Sequence, residues 1–255
     1  MTALEQRKKN MDYHLDTIPV IDALKEDDEC LLCVVHQKTD KLYSESFLGG
    51  SVMAPETRVQ VNEHGFCPRH FHALYEQKNR LGLALMTHTY MRETVRQLRD
   101  KEKKLPMNAK KKLLADKKSN EYKQFEEFCT WLEEKHGDCM ICKKVNEAMD
   151  RYVYTMLHLF RTSEEFKNKL EGSRGLCLHH LKRSVEIANE KFGSGGCAEW
   201  LRFILPVEYR AFERLDGELD WFIKKFDYRY REEPWGTSQD SLVRALQKTV
   251  GDKFE

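Results

Sequence analysis

Cys30-Leu31-Leu32-Cys33 is followed, after a gap of 33 residues, by Cys67-Pro68-Arg69-His70, and the same arrangement returns further along the chain. There, Cys139-Met140-Ile141-Cys142 is followed after 34 residues by Cys177-Leu178-His179-His180. Six of the eight cysteines fall into this duplicated frame. Soft donors that arrive as close pairs are what a tetrahedral zinc ion requires. The duplication reaches past the donors. Glu63-His64-Gly65-Phe66-Cys67 and Ser173-Arg174-Gly175-Leu176-Cys177 each put glycine two places before the cysteine, with an apolar residue between. The turn that presents each Cys-x-x-His pair is therefore expected to be repeated too.

Around this frame the apolar residues recur at helical spacing, and no stretch alternates as a strand would. The expected fold is all-α, with two tandem pseudo-repeated helical subdomains, each pinned by a Cys3His metal site, and a C-terminal helical segment. The first copy spans residues 11–104. It opens near Pro19, runs from the Cys30 pair as a helix to about Phe47, and breaks at Gly49-Gly50. A short helix from Pro55 to about Val61 follows, then a long one from Pro68 to about Lys104, with Leu74, Leu81, Leu85, Tyr90 and Val95 on one apolar face. Residues 105–120 form a lysine-rich connector; residues 100–123 hold nine lysines against four acids. The second copy, 121–192, repeats the plan with helices near 121–135, through Val145 to Leu159, and from Ser163 to Leu170. Gly193-Ser194-Gly195-Gly196 opens the C-terminal segment, 193–255, which is rich in aromatics and ends in a helix reaching Val250.

Two zinc ions are the expected cofactors, with Cys30, Cys33, Cys67, His70, Cys139, Cys142, Cys177 and His180 as ligands. The simplest arrangement closes each site within its own copy, so that Cys30, Cys33, Cys67 and His70 hold one ion and the remaining four hold the other. The spacing alone leaves open whether the sites close that way. Four protein donors leave no open position for water, so such sites are structural. Proline at the first helical position places Cys67 just ahead of a helix, where the amino end favours the thiolate form. Competing explanations for the cysteines are burial in a core, a reversible dithiol switch, and an iron–sulfur cluster, for which histidine ligation is the exception. His64, His72, His136 and His179 lie near the pairs as alternative donors. Cys129 and Cys197 stand outside the frame and are expected in the core, with His88 and His158 in core or boundary positions.

The chain resembles a bacterial family defined by a domain of unknown function. Matching stretches are Thr17-Ile18-Pro19-Val20, Leu48-Gly49-Gly50-Ser51-Val52-Met53-Ala54-Pro55, Gly65-Phe66-Cys67-Pro68-Arg69-His70-Phe71, Trp221-Phe222-Ile223-Lys224-Lys225-Phe226-Asp227-Tyr228-Arg229 and Pro234-Trp235-Gly236. Leu31 departs from the proline expected after the first cysteine. The resemblance supports the fold and implies no activity.

A chain of 255 residues with 40% hydrophobic content can bury a core of its own. Its 43 Lys and Arg against 42 Asp and Glu argue against a general nucleic-acid binder. No apolar run approaches the roughly 20 residues that span a bilayer, and Met1 to Asn10 lack the apolar centre of a signal peptide. A cytoplasmic location is expected, where paired cysteines serve metals more often than disulfides. Phosphate-loop, Gly-x-Ser-x-Gly and His-Glu-x-x-His patterns are absent, so no catalytic or organic-cofactor residues are assigned. The expectation is a non-catalytic zinc protein that acts through an unknown protein partner. A thiol and zinc redox sensor is the alternative. So is a nucleic-acid-associated factor using the lysine-rich connector and the aromatic–basic stretch Phe226 to Arg231.

Overall fold

The structure, a computed structural model, describes residues 16–108 and 117–251, and among these every regular element is helical with no strand. The first fifteen residues, the middle of the lysine-rich connector and the last four residues lie outside the described residues. Helix α1 covers residues 16–23, and α2 runs Leu31–Leu48. A 3-10 turn at Gly50–Met53 leads into α3, Pro55–His64, and α4 occupies Pro68–Glu76. Then come α5 at Arg80–Glu102, α6 at Asn120–Gly137, α7 at Met140–Thr162 and α8 at Glu164–Glu171. Helix α9 is the longest, Leu178–Lys224. A second 3-10 turn, Tyr228–Tyr230, precedes α10, Ser241–Val250.

Two expectations about these helices are corrected. The single long helix from Pro68 is two helices, because Lys78 takes a left-handed φ of 64° and Asn79 starts afresh. Its side chain accepts from Gly82 N at 3.0 Å, a side-chain N-cap. Only part of the expected apolar face turns inward: Leu74 is buried, whereas Leu81 and Val95 are exposed. The break expected at Gly193 is instead a kink inside α9, with φ 66° and ψ −178° at Gly193 and helix on both sides. That backbone region is open essentially to glycine alone. Pro206 also lies within α9.

The chain folds as two compact units. Among the described residues, one comprises 16–38 and 147–251; the other comprises 39–108 and 117–146. In the first, Val153, Met156, Leu157, Phe160, Trp200 and Ile204 form the core, with the Phe160 and Trp200 rings edge to face at 5.2 Å. In the second, Phe47, Phe66 and Phe71 pack edge to face in succession. The unit boundaries fall inside α2 and α7, so each unit takes its residues from both sequence copies.

The C-terminal stretch from Trp221 to Gly236 serves largely to hold itself. Lys225, buried at the end of α9, donates to the carbonyls of Tyr230 at 2.7 Å and Arg231 at 2.8 Å and lies 5.3 Å from the centre of the Trp235 ring. Trp221 Nε1 donates to Pro234 O at 3.1 Å. Of the aromatics here, Phe226 and Tyr228 are exposed.

Candidate metal centres

Each of the four Cys-x-x-Cys and Cys-x-x-His pairs sits at the amino end of a helix. Cys67 and Cys177 are the N-caps of α4 and α9. The Cys30 and Cys139 carbonyls accept the first bonds of α2 and α7, from Val34 N and Lys143 N. The second member of each pair then falls at the third helical position, on the same side as the cap. At Cys177 the thiol itself accepts from His180 N at 3.4 Å, and at Cys139 from Cys142 N at 3.5 Å. This explains the three-residue spacing: cap and third position share a face, and the helix dipole favours an anionic sulfur there.

The pairs combine into two clusters, in which the donor atoms all lie within 4.8 Å of one another. One cluster is Cys30, Cys33, Cys177 and His180; the other is Cys67, His70, Cys139 and Cys142. All eight expected residues are therefore brought together, but the partition is corrected: neither site closes within its own copy. Each takes a Cys-x-x-Cys from one copy and a Cys-x-x-His from the other, and each lies within one compact unit. Helix length gives the reason. Helix α2 starts at the Cys30 pair and continues for 18 residues without a turn that could bring the chain back to that pair. The Cys67 pair comes down beside its far half, where Phe66 meets Phe47 and His70 meets Asp40.

In the Cys30 site, Cys33 Sγ and Cys177 Sγ are 3.6 Å apart, and His180 Nδ1 stands 3.5, 3.5 and 3.2 Å from the sulfurs of Cys30, Cys33 and Cys177. In the Cys67 site, Cys67 Sγ and Cys142 Sγ are 3.8 Å apart. There His70 Nδ1 is 3.4, 3.2 and 3.3 Å from Cys67, Cys139 and Cys142. Donors about 2.3 Å (sulfur) and 2.0–2.1 Å (nitrogen) from a tetrahedral ion are separated by about 3.8 Å (S–S) and about 3.6 Å (S–N). The observed edges agree to within about 0.4 Å. They are far longer than a disulfide, and all eight cysteines are free. The donor set thus fits a four-coordinate ion.

Electrostatics point the same way. In the Cys67 site, hydrogen bonds from Cys142 and His70 pull the Cys139 thiol down to about 3, while the Cys139 thiolate pushes Cys142 well above the usual thiol range. In the Cys30 site, bonds from Cys30 and Cys33 draw the Cys177 thiol down. Burial raises Cys30, and the bond to Cys177 raises Cys33. In each site one thiol is drawn down while a neighbouring thiol is pushed up; a divalent cation is what allows all three sulfurs to be thiolates.

The surroundings of the two sites differ. His70 is buried, and its Nε2–H donates to Asp40 Oδ1 at 2.8 Å, which fixes Nδ1 as the donor toward the sulfurs. Burial opposes charge on the His70 ring, but its bonds to Asp40 and Cys139 raise it to about 9. Arg69 also donates to Asp40, at 3.1 Å. Cys67 and Cys142 are half-buried. The Cys30 site is fully buried and lies against the end of α10: Cys33 Sγ is 3.6 Å from Gly251 O, and a Cβ on Gly251 would stand 3.0 Å from Cys177 Sγ. Helix α10 is held there by charge. Glu29, fully buried, accepts from Arg174 at 3.0 Å, Arg214 at 2.5 Å and Arg244 at 3.1 Å. Lys248, also fully buried, pairs with Glu208 Oε2 at 2.7 Å and donates to Arg174 O at 2.5 Å.

Sequence reasoning missed these supporting residues, although a signal exists. An acid directly precedes the first cysteine of each Cys-x-x-Cys (Glu29, Asp138), and a basic residue stands three before each Cys-x-x-His (Arg174, His64). Both couples pair across the copies, Arg174 with Glu29 and His64 Nδ1 with Asp138 Oδ2 at 2.7 Å. Of the alternative donors, His179 is exposed and neither it nor His64 enters a cluster. Cys129, expected in the core, is exposed, because α6 has no buried residue at all. Cys197 is half-buried, His88 exposed and His158 half-buried.

Fold and sites together define an all-helical protein with two Cys3His clusters able to hold metal ions. A family model described as a family of unknown function, DUF6062, matches residues 11–255, and the chain belongs to that family. No curated protein and no solved structure matches the chain. No described helix is long and apolar enough to cross a membrane.

Proposed function

We propose that the protein is a non-catalytic zinc protein whose two ions staple helices into a scaffold that acts by contact with another protein, in the cytoplasm. One observation carries the reading: each cluster supplies four protein donors at tetrahedral spacing, which leaves no coordination position for water or substrate. Three thiolates and one imidazole suit Zn²⁺ by softness and geometry. Elemental analysis of the purified chain is expected to give two zinc ions per molecule; iron, or no metal, overturns the assignment.

A second reading, a zinc-linked redox sensor, is favoured by the Cys67 site alone. Its Cys67 and Cys142 sulfurs are 3.8 Å apart and half-buried, so a peroxide reaching them would oxidise the two thiolates to a disulfide, with water as the reduced product and release of the ion. Limited peroxide is expected to release one ion per chain, and a thiol reductant to restore its binding. Release of both ions together, or none, removes this reading.

A further inference from the structure

Helix α5 carries apolar residues on both sides. Its inner side buries Gly82 and Met86 and sets Tyr90 against Gly65, where an added Cβ would meet the Tyr90 ring at 2.6 Å. The opposite side holds Leu81, Ala84, His88, Met91, Val95 and Leu98, all exposed. The large members of this row are uncovered to a degree unusual for a monomer surface: Leu81 is 73% exposed, Met91 60%, Val95 45% and Leu98 37%. Their intervals alternate three and four residues over five steps, which is the period of a coiled-coil seam rather than of a broad core face.

The positions bordering the seam choose between occupants. On one border they are Leu85, Arg92 and Arg99; on the other, Arg80, Thr87, Thr94 and Lys101, so no acid stands on either. Arg92 and Arg99 are exposed, and their side chains make no hydrogen bond or ion pair among the described residues. Arg96, one position beyond the seam, is by contrast engaged with Glu93 and Asp100. Border charges select the partner in helix pairing. A second copy of α5 offers no acid to Arg92 and Arg99 in either direction: antiparallel it sets cation against cation, and parallel it sets Thr87 and Thr94 against them. A membrane-surface helix buries a wide apolar face with bulky anchors in lipid and carries its basic residues on the opposite, polar face; here the side opposite the seam is packed inside the unit.

The geometry points to α5 as a docking seam for an amphipathic helix whose own apolar seam is bordered by aspartate or glutamate. This rests on reading the protein as an interaction scaffold, and it names the face and the chemistry of the partner. The test uses the full-length zinc-loaded chain and two fluorescent three-heptad peptides, leucine at the seam positions of both, with glutamate at the borders of one and lysine at those of the other. The glutamate peptide is expected to bind saturably and more weakly as salt rises, with the lysine peptide at least roughly tenfold weaker. Met91→Glu with Val95→Glu is expected to abolish binding while metal content and helicity stay unchanged, since both side chains are exposed. Arg92→Glu with Arg99→Glu keeps the seam and is expected to transfer the preference to the lysine peptide.

Equal binding of both peptides, or binding indifferent to these variants, overturns the inference. So does a dimer in light scattering that Val95→Glu converts to monomer, which would make the seam a self-interface. Co-sedimentation with anionic phosphatidylserine vesicles that the same variant abolishes would make it a lipid-facing surface, and also overturns it. A chain that holds two zinc ions and captures another protein but neither peptide keeps the scaffold reading and loses only this seam.

Discussion

The Cys30 and Cys67 sites have the same donors, the same helix ends and the same exchange between copies, yet one is sealed and the other half-open. Around the Cys30 site, four basic side chains converge on Glu29 and Glu208, and α10 closes over the sulfurs. Around the Cys67 site, the corresponding acid, Asp138, pairs with the part-buried His64, while the ligand histidine is braced by Asp40. Identical coordination has thus been combined with two supports. Charge burial holds a lid over the first site; a carboxylate behind the imidazole orients the second. The first arrangement resists access, and the second leaves two sulfurs within reach of solvent.

The largest effect expected from breaking this comparison concerns the exchange itself. Replacing Cys67 and Cys142 by serine removes two donors from one cluster and is expected to leave one zinc ion, held by Cys30, Cys33, Cys177 and His180. Replacing Cys33 and Cys67 strikes both clusters and is expected to leave none. Closure within copies would give the opposite for the second variant, with one ion retained, so metal content alone decides. Structural zinc in small peptides is worth about 10–16 kcal/mol, comparable with the whole stability of a typical domain at about 5–15 kcal/mol. Loss of an ion is therefore expected to unfold the unit around it, visible as lost helicity.

Next in size is the acid beside each site. Glu29→Ala leaves Arg174, Arg214 and Arg244 facing a void at a fully buried position, and removal of one partner from a buried charge cluster costs about 3–5 kcal/mol. Asp138→Ala removes a partner from half-exposed groups, where hydrogen bonds are worth about 0.5–1.5 kcal/mol. Denaturant titration is expected to rank the two in that order. Equal losses would mean that the burial contrast between the sites has no energetic weight.

Much of this could be read from the chain, for identifiable reasons. The Cys and His frame is local: cap and third helical position lie three residues apart wherever a helix starts, so the donors announce themselves. Gly65 and Gly175 did likewise, and both have left-handed φ, 67° and 77°. Pro68 at the first helical position marked the start of α4. The pairing of the frames was not legible, because it depends on the length and rigidity of α2 and α7, which carry each Cys-x-x-Cys away from the Cys-x-x-His that follows it. The α4–α5 break was hidden because Lys78 takes a left-handed turn without being glycine, leaving Asn79 as the only local signal. Gly193 misled in the other direction: packing on both sides of the kink continues α9 where local glycine content argues for a stop. Asp40, 30 residues from His70, and Lys248, 40 residues from Glu208, belong to no local pattern at all.

The smallest expected effect is also the most selective. Asp40 touches His70 through the ring nitrogen that faces away from the sulfurs, so it orients a ligand without being one. Outer partners of ligating histidines are worth about 10–100-fold in metal affinity. Asp40→Asn keeps an acceptor for the Nε2–H and loses the charge, so its effect is expected near the lower end; Asp40→Ala loses both and is expected near the upper end. Competition against a chromophoric chelator reads the two ions separately. In the parent chain the half-buried Cys67 site is expected to yield its ion first, and the Asp40 variants should move that step alone, leaving the Cys30 step in place. Were both steps to move together, Asp40 would be acting through general stability rather than through the His70 ring, and the two supports would no longer be distinct.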